Sequence, residues 1–130
     1  LIENAAPLKR AGQLELIDGD ARVAEGVRVQ LTGGHTRGHQ IVFVESDGET
    51  LVHLGDLVPT SHHLPLPYIM GYDTFPLETL AMRKRLYSNA VSARWKLFFG
   101  HDFSPKVAGL TKRDGKYLLD DSTLINLKRG

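Results

Sequence analysis

Cysteine is absent from the 130 residues. That excludes a disulfide framework, a thiolate zinc site and thiol catalysis, and it suits a reducing cytoplasm, which is the expected location. An excess of charge is also missing. The net charge is +1, and the basic pairs Lys112-Arg113 and Lys128-Arg129 are too short to form a patch. No nucleic-acid or membrane partner is expected. No apolar run approaches the roughly 18 residues of a membrane span, and nothing at the start reads as a signal peptide. The GxxxxGK[ST] phosphate loop does not occur. Ser61, Ser88 and Ser104 lack the glycine elbow of an acyl-enzyme serine.

What remains is an ordinary globular composition, 42% hydrophobic and 24% charged, in a chain of one domain at most. The first residue is Leu1 and not methionine, so a piece of a longer protein is expected.

Three stretches share one pattern, a strand running out into glycine with His or Asp beside it. Gly33-Gly34-His35-Thr36-Arg37-Gly38-His39 lies between the apolar strands 27–32 and 40–46. Gly55-Asp56 follows the strand 50–54, and Gly100-His101-Asp102 follows 96–99. Glycine lets the chain turn where a side chain would clash. Imidazole and carboxylate suit zinc or iron, and a carboxylate can bridge two ions. Open α/β sheets bind ligands at the C-terminal ends of strands. His35, Asp56 and His101 are therefore candidates for one metal site. His39 fits a supporting role better than ligation, because Gly33, Gly34 and Gly38 argue against the helix that would pair it with His35.

Around these motifs the sequence predicts a short helix over 5–11, a strand over 14–17, and a hairpin through Ser46-Asp47-Gly48-Glu49. A helix is predicted over 76–92, opened by Pro76, and a second hairpin about Asp114-Gly115 with arms 108–112 and 116–119. Residues 57–75 lack periodicity but are rich in apolar side chains, as expected of a loop packed over a pocket. His53 reads as a core or edge residue. His62 and His63 read as loop packing or as pocket lining.

Gly34-His35-Thr36-Arg37-Gly38-His39, Gly55-Asp56 and Gly100-His101-Asp102, in this order and spacing, resemble the third, fourth and fifth metal motifs of the metallo-β-lactamase fold hydrolases. Gly55-Asp56-Leu57-Val58-Pro59-Thr60 and Leu64-Pro65-Leu66-Pro67 resemble the branch of lactonases and organophosphate hydrolases. Arg37 stands where the family usually has proline. The resemblance implies an α/β (α+β) fold, the C-terminal half of an αββα sandwich, with a mostly antiparallel or mixed sheet and flanking helices. It implies that His35 binds one metal, that Asp56 bridges two as the catalytic carboxylate, and that His101 binds the second. The metal is divalent, zinc first, with iron, manganese or cobalt left open, and a complete site holds two. Metal-activated water would attack an ester, lactone or phosphoester. The family's HxHxDH motif is absent from this sequence, which leaves each metal two protein ligands where catalytic zinc usually has three.

The expectation is thus a single partial domain over 1–130, inactive alone, with a sheet face that a homodimer or swapped oligomer would cover. The branch often places a Tyr three residues after the bridging Asp. Here that position is Pro59, and Tyr68 and Tyr72 in the long loop are the candidates to line the substrate site instead. Two alternatives stay open. One is a non-catalytic half-domain with at most one weak metal site. The other is a small-ligand module in which His35, Asp56 and His101 lie far apart.

Overall fold

The computed structural model describes residues 2–104 and 106–126. Its centre is one sheet of seven strands in the order β1 (Ala21–Ala24), β2 (Val27–Leu31), β3 (Gln40–Ser46), β4 (Glu49–His53), β5 (Lys96–Phe99), β6 (Lys106–Arg113) and β7 (Lys116–Asn126). All neighbours run antiparallel except β4 and β5, which are parallel. A parallel pair needs a crossover, and this one contains helix α2 (Pro76–Ala93). The helix α1 (Ile2–Arg10) precedes the sheet. The fold class is α/β with a mixed sheet.

Alternation along the strands separates two faces. Phe43, Val52, Leu97 and Ala108 are laterally adjacent and fully buried. With Ile41, Leu54 and Phe99 they form the core against Met82, Leu86, Tyr87 and Ala90 of α2. The row Val29, Val42, His53, Phe98, Val107 and Ile125 crosses the opposite face. None of its members belongs to the core cluster.

Both Asp-Gly hairpins form. Asp47 and Gly48 take φ of 51° and 77°, and Asp114 and Gly115 take 49° and 76°, the paired positive φ of a type I′ turn. The helix predicted over 76–92 runs one residue further and ends at Arg94, φ 55°. Residues 57–75 follow one short 3-10 turn, Gly55–Leu57, and contain a second, Ser61–His63, with Leu57, Val58, Leu64 and Met70 buried. An apolar cavity of about 330 Å³ lies between residues 64–67 and 115–118.

Some expectations are corrected. Residues 14–17 are not a strand; Leu16 is 77% exposed, so its apolar side chain found no sheet to join. The sheet starts instead at β1, whose alanines carry little strand propensity. The β1–β2 hairpin closes through Gly26, φ 67°, where a Cβ would stand 2.6 Å from the Glu45 carbonyl oxygen. The second hairpin's arms are longer than predicted. A bulge between Val107 and Gly109 interrupts the ladder, and Thr123 Oγ1 accepts the Gly109 N–H at 2.7 Å. Helix α1 begins at Ile2 and stops at Arg10, a little ahead of the predicted span.

Candidate metal centre

The topology brings the three motifs to one edge of the sheet. Because β4 and β5 are parallel, their C-terminal ends release Asp56 and His101 side by side. Because β3 is antiparallel to β4, its N-terminal end, where the His35 loop enters, lies at the same edge. Asp56 is half-exposed and faces both histidines. Its Oδ2 is 3.4 Å from His35 Nε2, and its Oδ1 is 3.0 Å from His101 Nε2. The reading in which these residues lie far apart is overturned by those distances.

His35 sits on a tight loop. Gly33 and Gly34 have φ of 60° and 75°. The loop is hung on the segment before α2: the N–H groups of Thr74 and Phe75 donate to the carbonyls of His35 and Gly34 at 3.1 and 2.8 Å. The His35 Nδ1 lies 3.0 Å from Oδ1 of Asp73, whose side chain is fully buried. The Thr79 hydroxyl donates to Asp73 Oδ2 at 2.8 Å. A carboxylate only accepts, so Nδ1 carries the proton and the lone pair of Nε2 is left pointing at Asp56. A carboxylate behind the imidazole is the usual support of a metal-binding histidine.

His39 is held from both sides. Its Nε2 accepts the Asp56 backbone N–H at 3.0 Å, and its Nδ1 faces Thr32 Oγ1 at 2.5 Å. Since Nε2 accepts, Nδ1 is the donor. Burial pushes this imidazole below the usual histidine range, which preserves the neutral form those bonds require. Its ring meets that of His35 edge-on at 5.7 Å.

His101 is the most open of the three, its side chain 61% exposed. Its N–H donates to the Pro59 carbonyl at 3.0 Å. The adjacent Asp102 is buried and accepts the Ser61 N–H at 3.2 Å from each oxygen, with Lys106 Nζ at 3.4 Å from Oδ2.

Of the remaining candidates, Tyr72 stands beside the site, its exposed ring 5.9 Å from that of His35. Tyr68 is exposed and its carbonyl is bound by Arg83. His53 packs on Phe98 at 5.0 Å. The exposed His62 is not part of the cluster, and His63 Nδ1 bonds Thr60 Oγ1 at 2.7 Å. None of His35, Asp56 or His101 lines the apolar cavity; the chemistry of the donors, not the size of a hollow, marks the site.

The donor set fits a divalent metal: two imidazole nitrogens, one with its tautomer fixed, on either side of one carboxylate. It is an incomplete set. Among the described residues no three His, Asp or Glu side chains close on a single ion; Asp56 faces both imidazoles, one with each oxygen. Asp73 and Thr79 were not singled out by the sequence.

Residues 3–115 match the pattern of the Metallo-beta-lactamase superfamily. An N-acyl homoserine lactonase of Bacillus thuringiensis is 31% identical over 90 residues, which is 68% of this chain and 35% of that protein. A probable metal-dependent hydrolase from Staphylococcus aureus superposes with a TM-score of 0.72 at 26% identity, over 85% of this chain and 41% of the other. AidC, a dizinc quorum-quenching lactonase in complex with its product, shares the fold with a TM-score of 0.75 at 20% identity, over 97% of this chain and 44% of its own. The chain spans about a third of the length of the curated lactonases it matches, 35%.

Proposed function

The chain belongs to the Metallo-beta-lactamase superfamily, and from that premise we propose that it supplies half of the metal centre of a hydrolase acting on a lactone, ester or phosphoester. One observation carries the reading: each oxygen of Asp56 faces a different imidazole Nε2. In this reading His35 and Asp56 would hold one divalent ion, and Asp56 and His101 the other. Zinc is the first choice and iron, manganese or cobalt are the alternatives. A metal held by these residues would lower the pKa of water and polarise the substrate oxygen. The residues of this chain do the rest. Asp56 fixes the spacing of the two half-sites. Asp73 keeps the His35 proton on Nδ1, and His39 holds the Asp56 backbone. Tyr72 offers an exposed phenol at the rim, a contact for a substrate's carbonyl or acyl portion; Tyr68, whose backbone carbonyl accepts from Arg83, is the weaker candidate. The lactone class is favoured because curated relatives are N-acyl homoserine lactonases.

Two ligands per ion fall short of the usual three, so the 130 residues are read as one partial domain that does not turn over substrate alone. That shortfall favours the second reading, a half-domain with at most one weak metal site. The sheet face bearing Val42, Val44, Phe98 and Ile125 would be covered by a second copy or a swapped one. Val44 and Ile125 are 42% and 50% exposed, and light scattering is expected to show a dimer.

The test is metal content by mass spectrometry after zinc loading, beside a His35→Ala, His101→Ala double variant. Zinc retained by the wild type and lost by the variant supports the proposal. Absence of zinc from both leaves the second reading. Lactone hydrolysis above a zinc-only control, abolished by Asp56→Asn, would show instead that this chain holds a complete site.

A further inference from the structure

Helix α2 buries a line of polar side chains turn by turn. Thr79, Arg83 and Tyr87 are each 0% exposed, and their spacing puts them on one face of the helix. A buried guanidinium is costly unless its donors are used. Arg83 uses them on the long loop: Nε donates to the Leu57 carbonyl at 2.7 Å, and Nη1 to those of His63 and Tyr68 at 3.0 and 2.8 Å. Leu57 follows Asp56 directly. One turn earlier, Thr79 donates to Asp73, which holds His35. The His35 loop also lies directly on Thr79: a Cβ on Gly34 would stand 2.9 Å from the Thr79 backbone nitrogen.

The geometry points to α2 as the ruler of the metal centre, with Thr79 positioning His35 and Arg83 positioning Asp56. Resting on the metal-site reading above, this makes Arg83 and Thr79 positioning residues whose separation along a rigid helix sets the gap between His35 Nε2 and Asp56 Oδ2. Neither residue touches substrate or metal. Arg83 acts through backbone carbonyls, so its planar fork matters more than its charge, and lysine replaces it only in part. The buried Arg83 Nη2 and Tyr87 hydroxyl have no hydrogen-bond partner among the described residues. The guanidinium is thus held by the loop's carbonyls and not by a carboxylate at hydrogen-bond distance.

The experiment compares Thr79→Val, Arg83→Met, Arg83→Lys and a core control, Leu86→Ala, which lies on the same helix. Amide hydrogen exchange is measured on the metal-free protein in solvent adjusted to equal global stability, and the zinc dissociation constant is measured in parallel. Arg83→Met is expected to speed exchange at Asp56 and Leu57, and Arg83→Lys to do so less. Thr79→Val should speed it at Thr74 and Phe75, whose N–H groups hold the His35 loop. Each should weaken zinc binding by about tenfold or more, the usual effect of losing an outer-sphere support. Leu86→Ala should do neither. Identical exchange patterns in Arg83→Met, Thr79→Val and Leu86→Ala would overturn the inference and reduce both residues to core packing. If the wild type takes up no zinc, the metal-site reading fails, while the exchange pattern still decides whether α2 positions the two loops. Should Arg83→Met not fold, Arg83→Lys and Thr79→Val carry the comparison: separate effects on the two loops uphold the ruler, and a common one ends it.

Discussion

His39 Nε2 accepts the backbone N–H of Asp56 at 3.0 Å, so the shared carboxylate is located by the main chain of its own residue. The contact is close enough that a Cβ on Gly55 would stand 2.8 Å from the same nitrogen, at a backbone φ of 51°. His39→Ala leaves the Asp56 N–H without its acceptor, a loss of about 1–3 kcal/mol. The urea midpoint of the metal-free chain should fall accordingly. An unchanged midpoint would mean that water replaces the imidazole at no cost.

Asp73 determines which nitrogen of His35 carries the proton. In wild type, nitrogen NMR at pH 8 without metal should show one tautomer, protonated on Nδ1. Asp73→Asn keeps an oxygen that accepts from Nδ1, so that tautomer should persist. Asp73→Ala removes the acceptor and should give a mixture of both. A mixture already present in the wild type would refute the role assigned to the 3.0 Å contact.

The loops that carry His35, Asp56 and His101 were legible because glycine marks each one and because strand ends collect ligands. His35, Asp56 and His101 needed only correct strand assignment to meet. Asp73 was not legible: its partner His35 is 38 positions away, and no local pattern reports a pairing of that range. Arg83 was hidden by its residue type. An arginine among Lys84 and Arg85 reads as part of a solvated helix face, yet it is 0% exposed because three carbonyls of a non-periodic loop converge on it. Strand 14–17 failed for the converse reason. Local alternation there met no neighbouring strand, and sheet formation needs one.

Acid should destabilise the metal-free chain earlier than its carboxylates alone would require. Burial is the first cause that lowers the imidazoles of His39, His53 and His63, reinforced by His101 beside His53 and by Arg83 beside His63. The unfolded chain takes up these protons near pH 6.5, the folded chain only at lower pH. Between those points the unfolded state binds more protons, so stability falls as pH falls through the window and is flat above it. With a chelator present, the urea midpoint should be lower at pH 5.5 than at pH 7.5, and His53→Gln should reduce the drop. Equal midpoints at the two pH values would show that the three imidazoles titrate alike in both states.

The glycines of the His35 motif are not equivalent, and two alanine substitutions separate them. Gly34 has φ of 75°, and a Cβ there would also meet the Thr79 backbone at 2.9 and 3.0 Å. A left-handed alanine costs about 1–2 kcal/mol, and overpacking against backbone adds about 1–3 kcal/mol. Gly34→Ala should therefore lose roughly 3 kcal/mol in urea unfolding, with the loss centred where the loop leans on α2. Gly38 lies outside the positive-φ set, and a Cβ there would meet nothing within 4 Å. Gly38→Ala should stay within about 0.5 kcal/mol of wild type, as surface changes usually do. If the two substitutions cost the same, the loop does not rest on Thr79 as described, and the support of His35 by α2 would have to come through Asp73 alone.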